Sequence, residues 1–207
     1  MLDAAARRLI DPPLDRAGRR LAAAGWTADR VTLAGLALGL VSAALIATGA
    51  TWIALAVLLA SRLFDGLDGA VARATRRTDF GGYLDITCDF LFYGAVPLAF
   101  VWLDPAANAL AGAFLLTSFY FNGASFLGYA ILAERHGLES RAQGVKSLYY
   151  SNGLLEGTET IVFFCLICLV PSAFAPLAWA FGVACMATAT LRLYGASRLF
   201  KDKGPLA

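Results

Sequence analysis

Charge is scarce in this chain. Of its 207 residues, 15% are Asp, Glu, Lys or Arg, against about 25% in an ordinary soluble domain. Hydrophobic residues make up 59%, and the mean hydropathy is +0.66. That shortage excludes a soluble globular domain and points to an integral membrane protein. Histidine is nearly missing: His136 is the only one, in the charged joint AERHGLESR, and reads as solvated. The four cysteines, Cys88, Cys165, Cys168 and Cys185, all fall in apolar segments. Cys165 and Cys168 form a C-x-x-C inside FFCLICLV, without the polar neighbours of a metal or redox site, so they read as small packing residues. Alternating ten-residue segments are absent, which excludes a transmembrane β-barrel. The first 24 residues hold no apolar h-region, so no cleavable signal peptide is expected.

What the chain has instead is long apolar runs. A spanning helix needs about 20 mostly apolar residues, and six segments qualify: 31–49, 52–73, 81–103, 107–133, 149–170 and 174–199. Helices are the spanning element because lipid offers nothing to unpaired backbone groups. The fold expected is therefore all-α, with six transmembrane helices. All 17 Lys and Arg residues fall before or at the start of the first span, in the last turns of the second or just after it, between the fourth and fifth, or at the end of the sixth. With an even number of spans those clusters share one face, which the positive-inside rule makes cytoplasmic. Both termini lie there, in the cytoplasmic (inner) membrane.

Residues 1–28 read as a cytoplasmic amphipathic segment and 29–207 as the six-helix domain. Leu2, Ala5, Ala6 and Leu9 recur at helical spacing with Arg7 and Arg8 between them, a pattern suited to an anionic membrane surface. Pro12 and Pro13 are expected to break this helix, and LDRAGRRLAAAGW resumes it.

The anomaly is DGLDGAVARATRRTDFGGYLDITCD, residues 65–89, which carries five aspartates between two apolar runs. Asp65 and Asp68, three apart, share a face of the second span, and Asp85 and Asp89, four apart, share a face of the third. The basic TRRTDF between them lets the chain turn back. Asp65 lies about 13 residues, or roughly 20 Å, into a helix of about 30 Å, so the two pairs meet at similar depth near the cytoplasmic end. Each carboxylate in the membrane costs on the order of 2.5–3.5 kcal/mol. Arg73 alone cannot balance four of them. Oxygen ligands without a local His or Cys point to a hard divalent cation. Mg²⁺ in turn favours a phosphate-bearing substrate, and two metals held by carboxylates are a recurrent device for displacement at phosphorus. Gly66 and Gly69, with Ala70 and Ala72, thin the helix beside the carboxylates, for close approach either of substrate or of another helix. Arg73 is placed to grip a phosphate. Asp79 reads as a solvated loop charge or a helix N-cap, outside the site.

This stretch resembles the signature of the CDP-alcohol phosphotransferase family, D-x2-D-G-x2-A-R-x8-G-x3-D-x3-D. Asp65, Asp68, Gly69, Ala72 and Arg73 match its first half, and Gly81, Asp85 and Asp89 its second. Seven residues rather than eight separate Arg73 from Gly81, a shortening in the turn, where length is best tolerated. TADRVTLAG also looks like the family's opening to the first span, with Ala28-Asp29 where Pro-Asn is usual. The resemblance implies an enzyme that moves a phosphate-linked group from a CDP-activated alcohol, here CDP-diacylglycerol, to a second alcohol and releases CMP. It implies that Asp65, Asp68, Asp85 and Asp89 bind metal, two Mg²⁺ or Mn²⁺ ions. Asp89 would also be the general base, and Asp65, Gly69, Ala72, Arg73 and Gly81 would bind the CDP donor. It further implies a homodimer among membrane lipids, and no nucleic-acid partner.

A second polar cluster, KSLYYSNGLLEGTETI, spans residues 146–161. Glu156 and Glu159 share a face with Thr160 beside them, and Asn122 and Ser125 of the fourth span can face the same cavity. Lys146, Glu156, Glu159 and Asn122 are therefore candidates for binding the acceptor, with Arg141 at the mouth. Pairing of the glutamates with Arg192, and ordinary positive-inside roles for Arg141 and Lys146, stay open. So do two alternatives for the function: a CDP-choline or CDP-ethanolamine type donor, and a divalent-cation transporter. Against transport, no acidic path continues to the other face.

Overall fold

The computed structural model of the chain describes residues 2–136 and 157–201, and side chains from residue 12 onward. The described residues are almost wholly helical and contain no strand. The helices are α1 (Leu2–Ala23), α2 (Ala28–Ala47), α3 (Thr51–Ala74), α4 (Asp79–Leu103), α5 (Pro105–Arg135), α6 (Gly157–Leu169) and α7 (Phe174–Phe200), with a short 3₁₀ turn at Pro171–Ala173.

Local chemistry sets the joints. Gly25 and Gly49 take φ of +85°, the left-handed conformation that lets a helix stop and the chain turn. Thr27 caps α2 by accepting from the Arg30 N–H at 3.4 Å. Thr78 caps α4 by accepting from the Gly81 N–H at 3.0 Å. Asp104 caps α5 at the Ala107 N–H, with Pro105 at the first helical position, where its missing N–H costs nothing. Asp79 is therefore the first residue of α4 and neither a loop charge nor the cap; its carboxylate suits the positive end of that helix.

One further expectation is corrected. Pro12 and Pro13 do not break the N-terminal helix: α1 runs through both. Its C-terminal half is held from outside, where Leu14 is buried with Leu67, Ala70 and Val71 of α3 and Val31 of α2. Packing of this kind overrides propensity. The half of α1 that follows the prolines is thus docked on other helices on its apolar side, with Arg16, Arg19 and Arg20 exposed on the other. As for the six spans, four helices among the described residues are long and apolar enough to cross a membrane: Ala28–Ala47, Asp79–Leu103, Pro105–Arg135 and Pro171–Phe200. The helix α3 is long enough, at 24 residues, but carries Arg62, Asp65 and Asp68 along its length. The helix α6 has 13 residues and adjoins the undescribed segment.

The main core lies where α2, α3, α4, α5, α6 and α7 meet. Phe92, Phe100, Phe164 and Phe174 are fully buried there with Ile46, Leu58 and Leu115. Phe100 stacks on Phe174 at 4.9 Å, and Phe92 meets Phe164 edge-on at 5.7 Å. Outward faces carry Trp52, Trp102, Leu110 and Tyr120, as a lipid-facing surface requires. The smaller cluster under α1 sits beside the carboxylates and fixes the C-terminal half of α3.

Candidate metal centre

The two aspartate faces do converge. Carboxylate oxygens of Asp65, Asp68 and Asp85 all lie within 4.8 Å of one another. Donor oxygens on opposite sides of a bound ion stand about twice the bond length apart, about 4.2 Å for Mg²⁺ and about 5 Å for Ca²⁺. The residues present therefore fit a hard divalent cation, the side chains closing by a few tenths of an ångström for the smaller ion. Asp68 is the most buried of the three and is aimed from α2: the Thr32 hydroxyl donates to its Oδ2 at 2.6 Å. Nothing near Thr32 in the sequence signals this contact, which spans 36 positions.

Asp89 is engaged differently. Its Oδ1 accepts from Arg62 Nη1 at 2.8 Å, and the same nitrogen lies 3.3 Å from Asp65 Oδ1. The guanidinium lies over the Phe92 ring, 3.9 Å from its centroid, a cation–π contact. Arg62 Nη2 donates to Ser61 Oγ at 3.2 Å, and Ser61 in turn donates to the Gly35 carbonyl of α2 at 2.7 Å. Arg62 Nε is buried with no hydrogen-bond partner among the described residues. Arg62 is the functional neighbour that the sequence reading passed over, counting it only as a topological charge. Its spacing three residues before Asp65 was the available signal. One guanidinium among four carboxylates still leaves a site with a net negative charge of three when all are ionised, a large unfavourable charge unless cations join it.

The remaining signature residues divide by role. Arg73, the expected phosphate grip, is held by α1: its Nη2 and Nε donate to Asp15 Oδ1 at 2.7 and 3.1 Å. Both side chains are 38% exposed. Among the described residues, a Cβ on Gly69 would meet only Arg73 Nη1, at 3.4 Å. Gly66 serves helix packing, since a Cβ there would lie 2.8 Å from Leu14 Cδ1. Ala70 is likewise buried under α1, whereas Ala72 is half-buried. Gly81 sits between its cap Thr78 and the carboxylate of Asp29, 3.4 Å from where a Cβ would stand.

Two of the acceptor candidates, Asn122 and Glu159, lie among the described residues. Asn122 and Ser125 on α5 hold Arg192 of α7, which donates to Asn122 Oδ1 at 2.8 Å and to Ser125 Oγ at 2.6 Å. Glu159 stands half-buried in the first turn of α6. Lys146, Glu156 and Arg141 lie outside the described residues. His136, at the C-terminal cap of α5, is half-buried and stacks on Phe200, 5.2 Å between rings.

A family model for CDP-alcohol phosphatidyltransferase matches residues 26–194. The chain belongs to that family. CDP-alcohol phosphatidyltransferases are enzymes that transfer phosphatidyl groups, and membership sets aside the cation-transport alternative. The chain is 46% identical over 194 residues to inner membrane protein YnjF of Escherichia coli (strain K12), covering 94% of each. It is 48% identical over 82 residues to phosphatidylinositol phosphate synthase of Mycobacteroides abscessus, 38% of this chain and 37% of that one. This phosphatidyltransferase also resembles the crystal structure of Mycobacterium tuberculosis phosphatidylinositol phosphate synthase with CDP-DAG bound. That likeness has a TM-score of 0.69 and 25% identity, over 94% of this chain and 98% of the other.

Proposed function

We propose that the protein transfers a phosphatidyl group from CDP-diacylglycerol to a small hydroxyl acceptor and releases CMP. The observation that carries this reading is the convergence of Asp65, Asp68 and Asp85 oxygens within 4.8 Å, with Asp89 one helical turn beyond Asp85. Asp65, Asp68, Asp85 and Asp89 would hold Mg²⁺ or Mn²⁺, which would offset negative charge on the pyrophosphate and on the leaving CMP. Gly69 leaves α3 bare where the donor lies, and Asp65, Ala72, Gly81 and Arg73 line or bind it. Asp89 takes the proton from the acceptor hydroxyl. The acceptor oxygen then bonds to the phosphorus that carries diacylglycerol, and the bond from that phosphorus to the CMP oxygen breaks. Six spans, counting α3 and the apolar segment 149–170, would place this site and both termini at the cytoplasmic face. Residues 1–28 form a cytoplasmic N-terminal segment ahead of the 29–207 catalytic domain. The phosphatidylinositol phosphate synthases among the relatives make a phosphorylated polyol the first acceptor to try.

The test is CMP release by the purified full-length protein with CDP-diacylglycerol and Mn²⁺ or Mg²⁺, across a panel of acceptors that includes inositol phosphate and glycerol phosphate. Turnover with at least one acceptor, lost on chelation, is the result expected. Silence across the panel overturns the reading. Asp89→Asn should stop turnover while donor binding stays within a few-fold; retained turnover would remove Asp89 as the base.

A further inference from the structure

The geometry points to Arg62 as a resident counter-cation of the carboxylate site, one that a metal ion must displace to reach Asp65 and Asp89. The inference rests on the metal-binding reading above and adds to it a residue outside the signature. Arg62 Nη1 bridges the two carboxylates, at 2.8 Å from Asp89 and 3.3 Å from Asp65. The lone pairs of Asp65 Oδ1 and Asp89 Oδ1 that face Arg62 are not open to a divalent ion, and an ion drawn between the two carboxylates meets the guanidinium charge at close range. Without metal, Arg62 offsets part of the repulsion among Asp65, Asp68, Asp85 and Asp89. With metal, its place on Asp65 and Asp89 is contested.

The surroundings suit a cation that stays near while changing partner. Phe92 offers a flat aromatic seat that demands no particular hydrogen bond. The Ser61 hydroxyl, anchored on the Gly35 carbonyl, is the other contact. Arg62 Nε makes no bond among the described residues, so release from the carboxylates abandons few contacts. Arg62 is thus a positioning residue: it sets how tightly one side of the site takes metal, and displacing it frees Asp89 to act on the acceptor.

Mn²⁺ affinity of the purified full chain, read from the electron paramagnetic resonance of free Mn²⁺, tests this without turnover. Arg62→Met should tighten binding on the order of tenfold or more, because a like charge has left the site. Arg62→Lys, which keeps the charge, should stay within about threefold of wild type. Equal or weaker binding by Arg62→Met overturns the inference and leaves the metal site standing. Absence of Mn²⁺ binding in the wild type overturns the metal reading itself, and this inference with it. Should Arg62→Met not fold, the Mn²⁺-loaded structure of the wild type decides. Arg62 detached from Asp89 is expected there, and Arg62 still bonded to both carboxylates beside a bound ion overturns the proposal.

Discussion

The Thr32 hydroxyl supports the carboxylate site from a second helix, 36 positions away in sequence, and Thr32→Val isolates it. Valine keeps the β-branched shape and removes only the donor, so no cavity forms and α2 keeps its packing. The lost bond is short, 2.6 Å, and joins two buried side chains. A hydrogen bond to a charged group contributes about 1.5–3 kcal/mol. Loss of a group that orients a metal ligand weakens metal binding by about 10–100-fold, which converts to about 1.4–2.8 kcal/mol. The two ranges agree. The assay is Mn²⁺ titration of the full chain in detergent. Thr117→Val serves as control, because Thr117 donates only to the Ala113 carbonyl of its own helix on an exposed face of α5. Thr32→Val should bind Mn²⁺ about 10–100-fold more weakly and the control should match wild type. Affinity within twofold of wild type for Thr32→Val would show that Asp68 is aimed without help from α2.

Two further outcomes follow from α1. Gly18→Ala puts a Cβ 2.7 Å from Ala70 Cβ and 2.8 Å from the Ala70 carbonyl carbon. Backbone cannot swing aside, so thermal unfolding should show a loss of about 1–3 kcal/mol; unchanged stability would mean that α1 does not dock on α3. Asp15→Asn removes an exposed ion pair and should change stability by no more than about 1 kcal/mol. It should also lower the KM for CDP-diacylglycerol, because Arg73 no longer needs to leave Asp15 to meet the donor; a raised KM would make Asp15 a support of Arg73 instead of its competitor.

Local spacing made part of this legible. Asp65 and Asp68 at three and Asp85 and Asp89 at four could only share helical faces, and one short basic turn could only bring those faces together. Thr32 could not be read the same way, because it meets Asp68 through the crossing of α2 and α3, which no local pattern encodes. Arg62 was in plain view at three residues from Asp65, but its charge was already explained by topology. The continuity of α1 through Pro12 and Pro13 was hidden for a related reason: propensity is local, and the partners that hold Leu14 lie more than 50 residues onward on α3. Asn122 and Ser125 looked like free polar groups facing a cavity until α7 brought Arg192 to them.

The fit of Leu14 against Gly66 carries a consequence for the history of the chain. The face of α3 that holds Asp65 and Asp68 backs directly onto α1 at Gly66, where a Cβ would stand 2.8 Å from Leu14 Cδ1. The two positions share a fixed volume. A descendant or ancestor with a larger residue at 66 should carry a smaller one at 14, and the exchange should read as paired substitution between a helix that opens the chain and a helix that does its chemistry.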